Sequence, residues 1–209
     1  MSRSKLNYKI YNGKNIKKLF ENAGLYALAL LFSCGIIIGA VTINHDNILT
    51  EKIKEFSDTY ILTKSGQGIT EIFLNSVISN SIFLSVNLFL SFSLIGYPFI
   101  IWIPFLKGLG IGSICGCLYS AYKFSGFGFS ILTIFPGAIV STFALISACY
   151  SACVYSKNAY SKAILGKGQF EKGETRFYII KQMIYFIICS ASSLIDSIFS
   201  FVFSRFFEL

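Results

Sequence analysis

The chain has 209 residues, of which 54% are hydrophobic and 13% charged, with a formal net charge of +8 and a mean hydropathy of +0.65. A soluble domain carries roughly 25% charged residues, so this composition excludes an ordinary soluble globular protein. The positive charge does not indicate nucleic-acid binding, because the basic residues flank hydrophobic stretches and the sequence has no nucleic-acid-binding motif.

Five apolar segments are long enough to cross a bilayer as helices. Gly96 and Pro98 interrupt the chain between the second and third segments, which predicts a tight helical hairpin, and a turn is expected around Lys123. The predicted fold class is therefore all-α, a polytopic membrane bundle in one domain (25–209) after a basic segment (1–24). The predicted spans are residues 25–43, 72–95, 97–119, 126–155 and 178–207.

The distribution of Lys and Arg predicts the orientation of the bundle. Six basic residues lie in the segment 1–24 and six around the loop between the fourth and fifth spans, against five in the remaining connections and the C-terminal end. Basic residues concentrate in cytoplasmic loops, so the N-terminus is predicted inside and the C-terminus outside.

The outer segment 44–71 is acidic and is predicted to be amphipathic. An apolar stripe recurs in it at helical spacing, through Leu49, Ile53, Phe56 and Tyr60. The stripe fits a helix lying on the membrane surface or on the ends of the spans. It fits equally a docking helix for an extracytoplasmic partner, so these four residues are candidate partner-binding residues.

Two charges lie well inside the predicted spans, Lys107 and Asp196. A charge at bilayer depth is costly unless it is paired or reaches water, so each is a candidate site residue. A contact between them would offset part of this cost. It would form either a structural pair or part of an ion or proton path, and Lys107 alone could also snorkel along its helix. A serine stripe accompanies Asp196, formed by Ser193, Ser197, Ser200 and Ser204.

Small residues follow Lys107 along the third span. Gly108, Gly112 and Gly116 are four residues apart, which allows another helix to approach closely. Pro136 lies within the fourth predicted span and is expected to kink it.

No catalytic, cofactor-binding or metal-binding set is predicted. His45 is the only histidine, and the sequence contains neither a P-loop nor a zinc-protease motif. Cys115 and Cys117 alone are too few for a metal site. The six cysteines lie in apolar runs and are expected to act as small hydrophobes.

An ordered set of motifs resembles the stage II sporulation protein M family of endospore-forming bacteria. The resemblance covers roughly residues 20 to 205. It departs at Gly137 and Ala138, where the family usually has a polar pair similar to Gln-Asn after the proline. The matching positions are Cys34-Gly35 through Gly39 to Asn44, Gly96-Tyr-Pro98, Phe105-Leu106-Lys107-Gly108 with Gly112 and Gly116, and Pro136 after Gly126-Phe-Gly128.

The resemblance implies a non-enzymatic membrane scaffold of the sporulation septum and the engulfing membrane. Such a scaffold recruits a lytic transglycosylase and a peptidoglycan amidase/endopeptidase, which thin the septal wall. From the residues alone, two alternatives stay open. One is a transporter or ABC-type permease subunit whose polar path includes Lys107 and Asp196, and the other is a structural membrane protein without these partners. The oligomeric state is also open, a homo-oligomer included.

Overall fold

The computed structural model describes residues 3–44, 59, 68–93, 96–165 and 172–204. Within them the elements are five helices: α1 (Arg3–Asn44), α2 (Ile69–Phe92), α3 (Gly96–Thr133), α4 (Phe135–Leu165) and α5 (Lys172–Ser204). Each contains a stretch long and apolar enough to cross a membrane. The prediction of an all-α bundle with five membrane-spanning helices is confirmed for this part of the chain.

The outside of the bundle is apolar, and its interior combines an apolar core with many small polar side chains. Large hydrophobic side chains such as Ile37, Phe143 and Ile187 are more than half exposed, whereas Ser192 and Ser200 are completely buried. This distribution suits a bilayer, in which lipid solvates the apolar surface and polar groups must find partners inside the protein.

Hydrogen bonds between helices define their relative directions. Asn80 of α2 bonds Ser193 of α5, and Ser76 bonds Asp196 one turn further along, so these two helices run antiparallel. The α4–α5 pair is also antiparallel, because Ser151 meets Tyr185 while Tyr155 meets Thr175. Both antiparallel pairs agree with a chain that crosses the membrane back and forth, one helix at a time.

The chain reverses at Lys123, inside the helix assigned as α3. Lys123 has φ 53° and ψ −126°, and it is the only non-glycine residue with positive φ in the described ranges. After it, Phe129 packs against Leu118, and Gly126 lies against the Leu118 carbonyl with no room for a side chain. The predicted turn between the third and fourth spans is therefore present, and residues 124–133 begin the fourth span.

Pro136 lies beside an interruption of the span that it was predicted to kink. It is the second residue of α4, because the helical assignment is interrupted at Ile134. The missing N–H of proline is tolerated in the first turn of a helix. Backbone bonds from Ile134 to Ser130 (2.9 Å) and from Ala138 to Ile134 (3.0 Å) join the two parts. The predicted span 126–155 is thus divided between the end of α3 and α4.

The α2–α3 connection brings the two helices close together. The Gly96 N–H donates to the Ser93 carbonyl at 3.1 Å, and a side chain at Gly96 would overlap the Leu90 backbone. An aromatic cluster closes the same end of the bundle, where Tyr155 and Tyr178 stack at 4.3 Å and Phe92 meets both edge-on. We call this end, which also carries the α4–α5 connection, the basic end.

Candidate functional site

Helices α1 and α3 run in parallel with almost no side-chain volume between them. Gly108 lies against the Phe32 carbonyl, Gly112 against the Ile36 backbone and Gly116 against Ala40. A Cβ at Gly112 would fall closer to the Ile36 backbone than any real side chain comes, so the helices could not stay at this separation with a larger residue there.

The α1 side of the contact is built in the same way. Gly35 lies against the backbone of Phe105 and Leu109, and Gly39 against that of Leu109 and Ser113. Gly110, by contrast, faces open space. We refer to the contacts of Gly35, Gly39, Gly108, Gly112 and Gly116 as the glycine interface. The spacing of Gly108, Gly112 and Gly116 indicated that some helix would come close, and the structure shows that it is α1.

Lys107 points away from the glycine interface into the bundle. It is only 8% exposed, and its ammonium donates to Asn80 Oδ1 at 2.9 Å and to Ser141 Oγ at 3.0 Å. One side chain of α3 thereby joins α2 and α4. Charge-assisted bonds of this kind are stronger than neutral ones, which lowers the cost of placing a cation at this depth.

Asp196 belongs to the same polar region. Ser76 Oγ donates to its carboxylate, and Asn80 Nδ2 donates to Ser193 Oγ at 3.1 Å. Gly137 packs against Asp196 so tightly that a Cβ there would overlap the aspartate side chain. Gly137, which departs from the family pattern, therefore allows α5 to approach α4 closely at Asp196.

The two charges share one cavity of about 150 Å³. The hydrogen bonds of Lys107 go to the neutral side chains of Asn80 and Ser141. A lysine ammonium has three N–H donors, and these bonds use two of them. We call the group of Ser76, Asn80, Lys107, Ser141, Ser193 and Asp196 the polar cluster.

The serine stripe on α5 faces the interior. Ser193, Ser197 and Ser200 are buried; Ser197 donates to the Ser193 carbonyl at 2.7 Å and Ser200 to the Thr133 carbonyl at 3.3 Å. The side chain of Ser204 lies outside the described residues. The bond of Ser197 stays within α5, whereas that of Ser200 joins α5 to the end of α3.

The cysteines and carboxylates of the described ranges do not gather into a metal site. The cysteines are free thiols, with Cys34 exposed and Cys115, Cys117, Cys149, Cys153 and Cys189 buried. In the same part of the chain, no group of three or more metal-ligating side chains comes together. The candidate partner-binding residues Leu49, Ile53, Phe56 and Tyr60 lie outside the described residues, so their role stays a prediction.

Sequence reasoning did not identify how the polar cluster is connected. Asn80 and Ser141 appeared only as polar residues suited to helix contacts, and Gly137 only as a departure from a motif. A usable signal was present, because Ser76 and Asn80 on α2 have nearly the same spacing as Ser193 and Asp196 on α5. Polar pairs spaced by one turn on two helices are expected to meet when those helices pack.

Comparison with known families matches the stage II sporulation protein M family over residues 28–200. No curated protein and no solved structure shows significant similarity to the chain. The match begins in α1, ends in α5 and includes both the glycine interface and the polar cluster. The chain is thus a multi-pass membrane protein of sporulation and belongs to the stage II sporulation protein M family.

Proposed function

We propose that the protein is a non-enzymatic membrane scaffold in endospore formation. In this role it anchors peptidoglycan-degrading partners, a lytic transglycosylase and an amidase/endopeptidase, at the sporulation septum and the engulfing membrane. The family match over residues 28–200 is the observation that carries the proposal. The thinning of septal wall would be done by the partners, and this chain would determine where they act.

The arrangement of the described helices supports a structural role. Lys107 donates to Asn80 and Ser141, and Asp196 accepts from Ser76, so both intramembrane charges serve contacts between helices. The glycine interface fixes α1 against α3. These contacts are expected to stabilise the bundle. Its outer connections would then be available to extracytoplasmic proteins.

The partner surface proposed is the apolar stripe of the outer segment 44–71, with Phe56 at its centre. In a sporulating strain lacking the native gene, a labelled transglycosylase should reach the septum when the wild-type chain is supplied. Phe56→Asp should abolish this recruitment, because a carboxylate would have to be buried at the partner contact. Phe56→Leu is the matched control and should preserve it.

Insertion of both variants should be equal by membrane fractionation, since position 56 lies outside the predicted spans. Septal recruitment by Phe56→Asp at the wild-type level would show that the stripe is not the partner surface. Normal recruitment in the complete absence of the chain would contradict the scaffold function itself.

A transporter or ABC-type permease subunit is the second candidate. The observation that favours it is the cavity of about 150 Å³ lined by Lys107 and Asp196. It would require a cytoplasmic ATPase as partner, because the sequence has no P-loop. Co-purification of such an ATPase in place of wall hydrolases would favour this candidate.

A further inference from the structure

Two open cavities flank helix α4 near the basic end of the bundle. The first, of about 460 Å³, lies between α4 and α5 and is walled by Phe177 among others. The second, of about 330 Å³, lies between α4 and the α1–α3 pair, against Leu28 and Ile101. Tyr150 and Val154 line both cavities. We call the two together the α4 groove.

Three lysines stand at the mouth of this groove. Lys157 lines the second cavity, and Lys162 and Lys181 line the first. Helical side chains tilt toward the N-terminus of their own helix. α5 begins at the basic end, so Lys181 extends toward the mouth, whereas α4 ends there, so Lys157 and Lys162 extend back toward the groove. The lysines of α4 and of α5 therefore lean toward each other along the axis of the bundle.

The three lysines differ in whether a described carboxylate pairs with them. Lys162 pairs with Glu174 at 2.5 Å, which uses the one acidic residue that lines the groove. Within the part of the chain that the structure describes, Lys157 and Lys181 have no acidic partner. Lys181 lines the same cavity as the exposed apolar side chain of Phe177. A cation so close to lipid requires water or an anion at the membrane surface.

The walls below the lysines are apolar and open to the side. Phe177 is 70% exposed and Val154 43% exposed, so the groove continues the lipid-facing surface. A soluble anion would bind the lysines but would make no contact with these apolar walls. An acidic peptide would likewise leave the part of the groove at bilayer depth empty. A molecule with an anionic head and hydrocarbon tails satisfies both parts.

We propose that the α4 groove binds an anionic phospholipid. Lys157 and Lys181 hold its phosphate, and the acyl chains lie along Tyr150, Val154 and Phe177. Basic pockets between transmembrane helices bind anionic headgroups in this way. The site is separate from the polar cluster and does not depend on the recruitment of wall hydrolases.

Native mass spectrometry of the full-length protein in mild detergent tests the proposal. The probes are phosphatidylglycerol and phosphatidylcholine with identical acyl chains. The wild-type protein should retain phosphatidylglycerol in preference to phosphatidylcholine. Each lysine near a membrane surface contributes about fivefold in affinity for anionic lipid, so K157Q/K181Q should weaken phosphatidylglycerol binding by roughly thirtyfold.

K123Q is the matched control, because Lys123 is an exposed lysine at the α3 turn, at the opposite end of the bundle. It should bind phosphatidylglycerol as the wild type does. The single variants K157Q and K181Q, each about fivefold weaker, keep the test valid if the double variant fails to accumulate.

Three results would overturn the proposal. The first is equal retention of the two lipids by the wild-type protein. The second is wild-type phosphatidylglycerol binding by K157Q/K181Q. The third is displacement of phosphatidylglycerol by an equimolar amount of glycerol 3-phosphate, which has no acyl chains and would identify a site for soluble anions. Failure of glycerol 3-phosphate to compete supports the lipid assignment.

Discussion

The glycine interface and the polar cluster meet at neighbouring residues of α3, Gly108 and Lys107, yet they hold helices together by different means. At Gly108 the backbone of α3 lies directly against the Phe32 carbonyl of α1. At Lys107, side-chain hydrogen bonds join α3 to α2 and α4 across the bundle. Packing on one face of α3 requires residues without side chains. Packing on the other face requires hydrogen-bond acceptors for Lys107.

This difference follows from the solvent. Lipid tails are as apolar as leucine, so apolar burial alone gives helices little reason to leave lipid for each other. Close backbone packing and hydrogen bonds remain as the sources of association. The two faces of α3 should therefore be destabilised by different substitutions. The glycine interface should be sensitive to added side-chain bulk, and the polar cluster to the loss of a hydrogen-bond acceptor.

Added bulk in the glycine interface should have the largest effect. Gly112→Leu should lower the free energy of unfolding by about 3 kcal/mol, because its side chain would push α1 away from α3 at Ile36. Thermal unfolding in detergent and the amount of protein in membranes measure the loss.

Gly110→Leu is the matched control two residues away. Nothing lies within 4 Å of a Cβ at Gly110, so this variant should stay within about 0.5 kcal/mol of the wild type. Equal behaviour of Gly112→Leu and Gly110→Leu would show that the glycine interface does not hold α1 to α3.

Loss of an acceptor in the polar cluster should have the next largest effect. Asn80→Leu is expected to lower the free energy of unfolding by about 2 kcal/mol, because it removes one of the two acceptors of the buried Lys107 ammonium. Denaturant or thermal unfolding in detergent measures this change.

The double variant Asn80→Leu/Lys107→Met separates a lost partner from lost packing. Removing the charge together with its acceptor should recover at least about 1 kcal/mol relative to the sum of the two single variants. Strictly additive effects would mean that the bond between Lys107 and Asn80 contributes nothing to stability.

The smallest effect is expected two turns further along α2, and with the opposite sign. Asn87 is fully buried, and both polar atoms of its side chain lack a hydrogen-bond partner among the residues described. Asn87→Leu should raise the free energy of unfolding by about 1 kcal/mol, because it removes an unsatisfied buried amide. Destabilisation comparable to that of Asn80→Leu would reveal a bond that this account omits.

Much of the fold could be read from the sequence, because a bilayer requires long apolar helices. The five spans, the α2–α3 hairpin and the turn at Lys123 follow from hydropathy and from the placement of Gly and Pro. The sequence predicted a disturbance of the fourth span at Pro136 but not its form, since proline can lie inside a kinked helix or in the first turn of a new one. Only the neighbouring backbone determines which of the two occurs.

The contacts of the two faces of α3 could be predicted from the sequence to different extents. Spacing alone identified Gly108, Gly112 and Gly116 as a close-packing side. It did not identify their partner, because five helices can be arranged in many ways around one small-residue stripe. Lys107 was recognised by its charge, but its acceptors Asn80 and Ser141 lie on other helices, and their proximity is set by the three-dimensional packing.

The scaffold function is the central claim, and affinity purification tests it most directly. The tagged full-length protein would be purified from sporulating cells in mild detergent, and the co-eluting proteins identified by mass spectrometry. The account predicts recovery of a lytic transglycosylase and a peptidoglycan amidase/endopeptidase. Recovery of a P-loop ATPase without either hydrolase would contradict it.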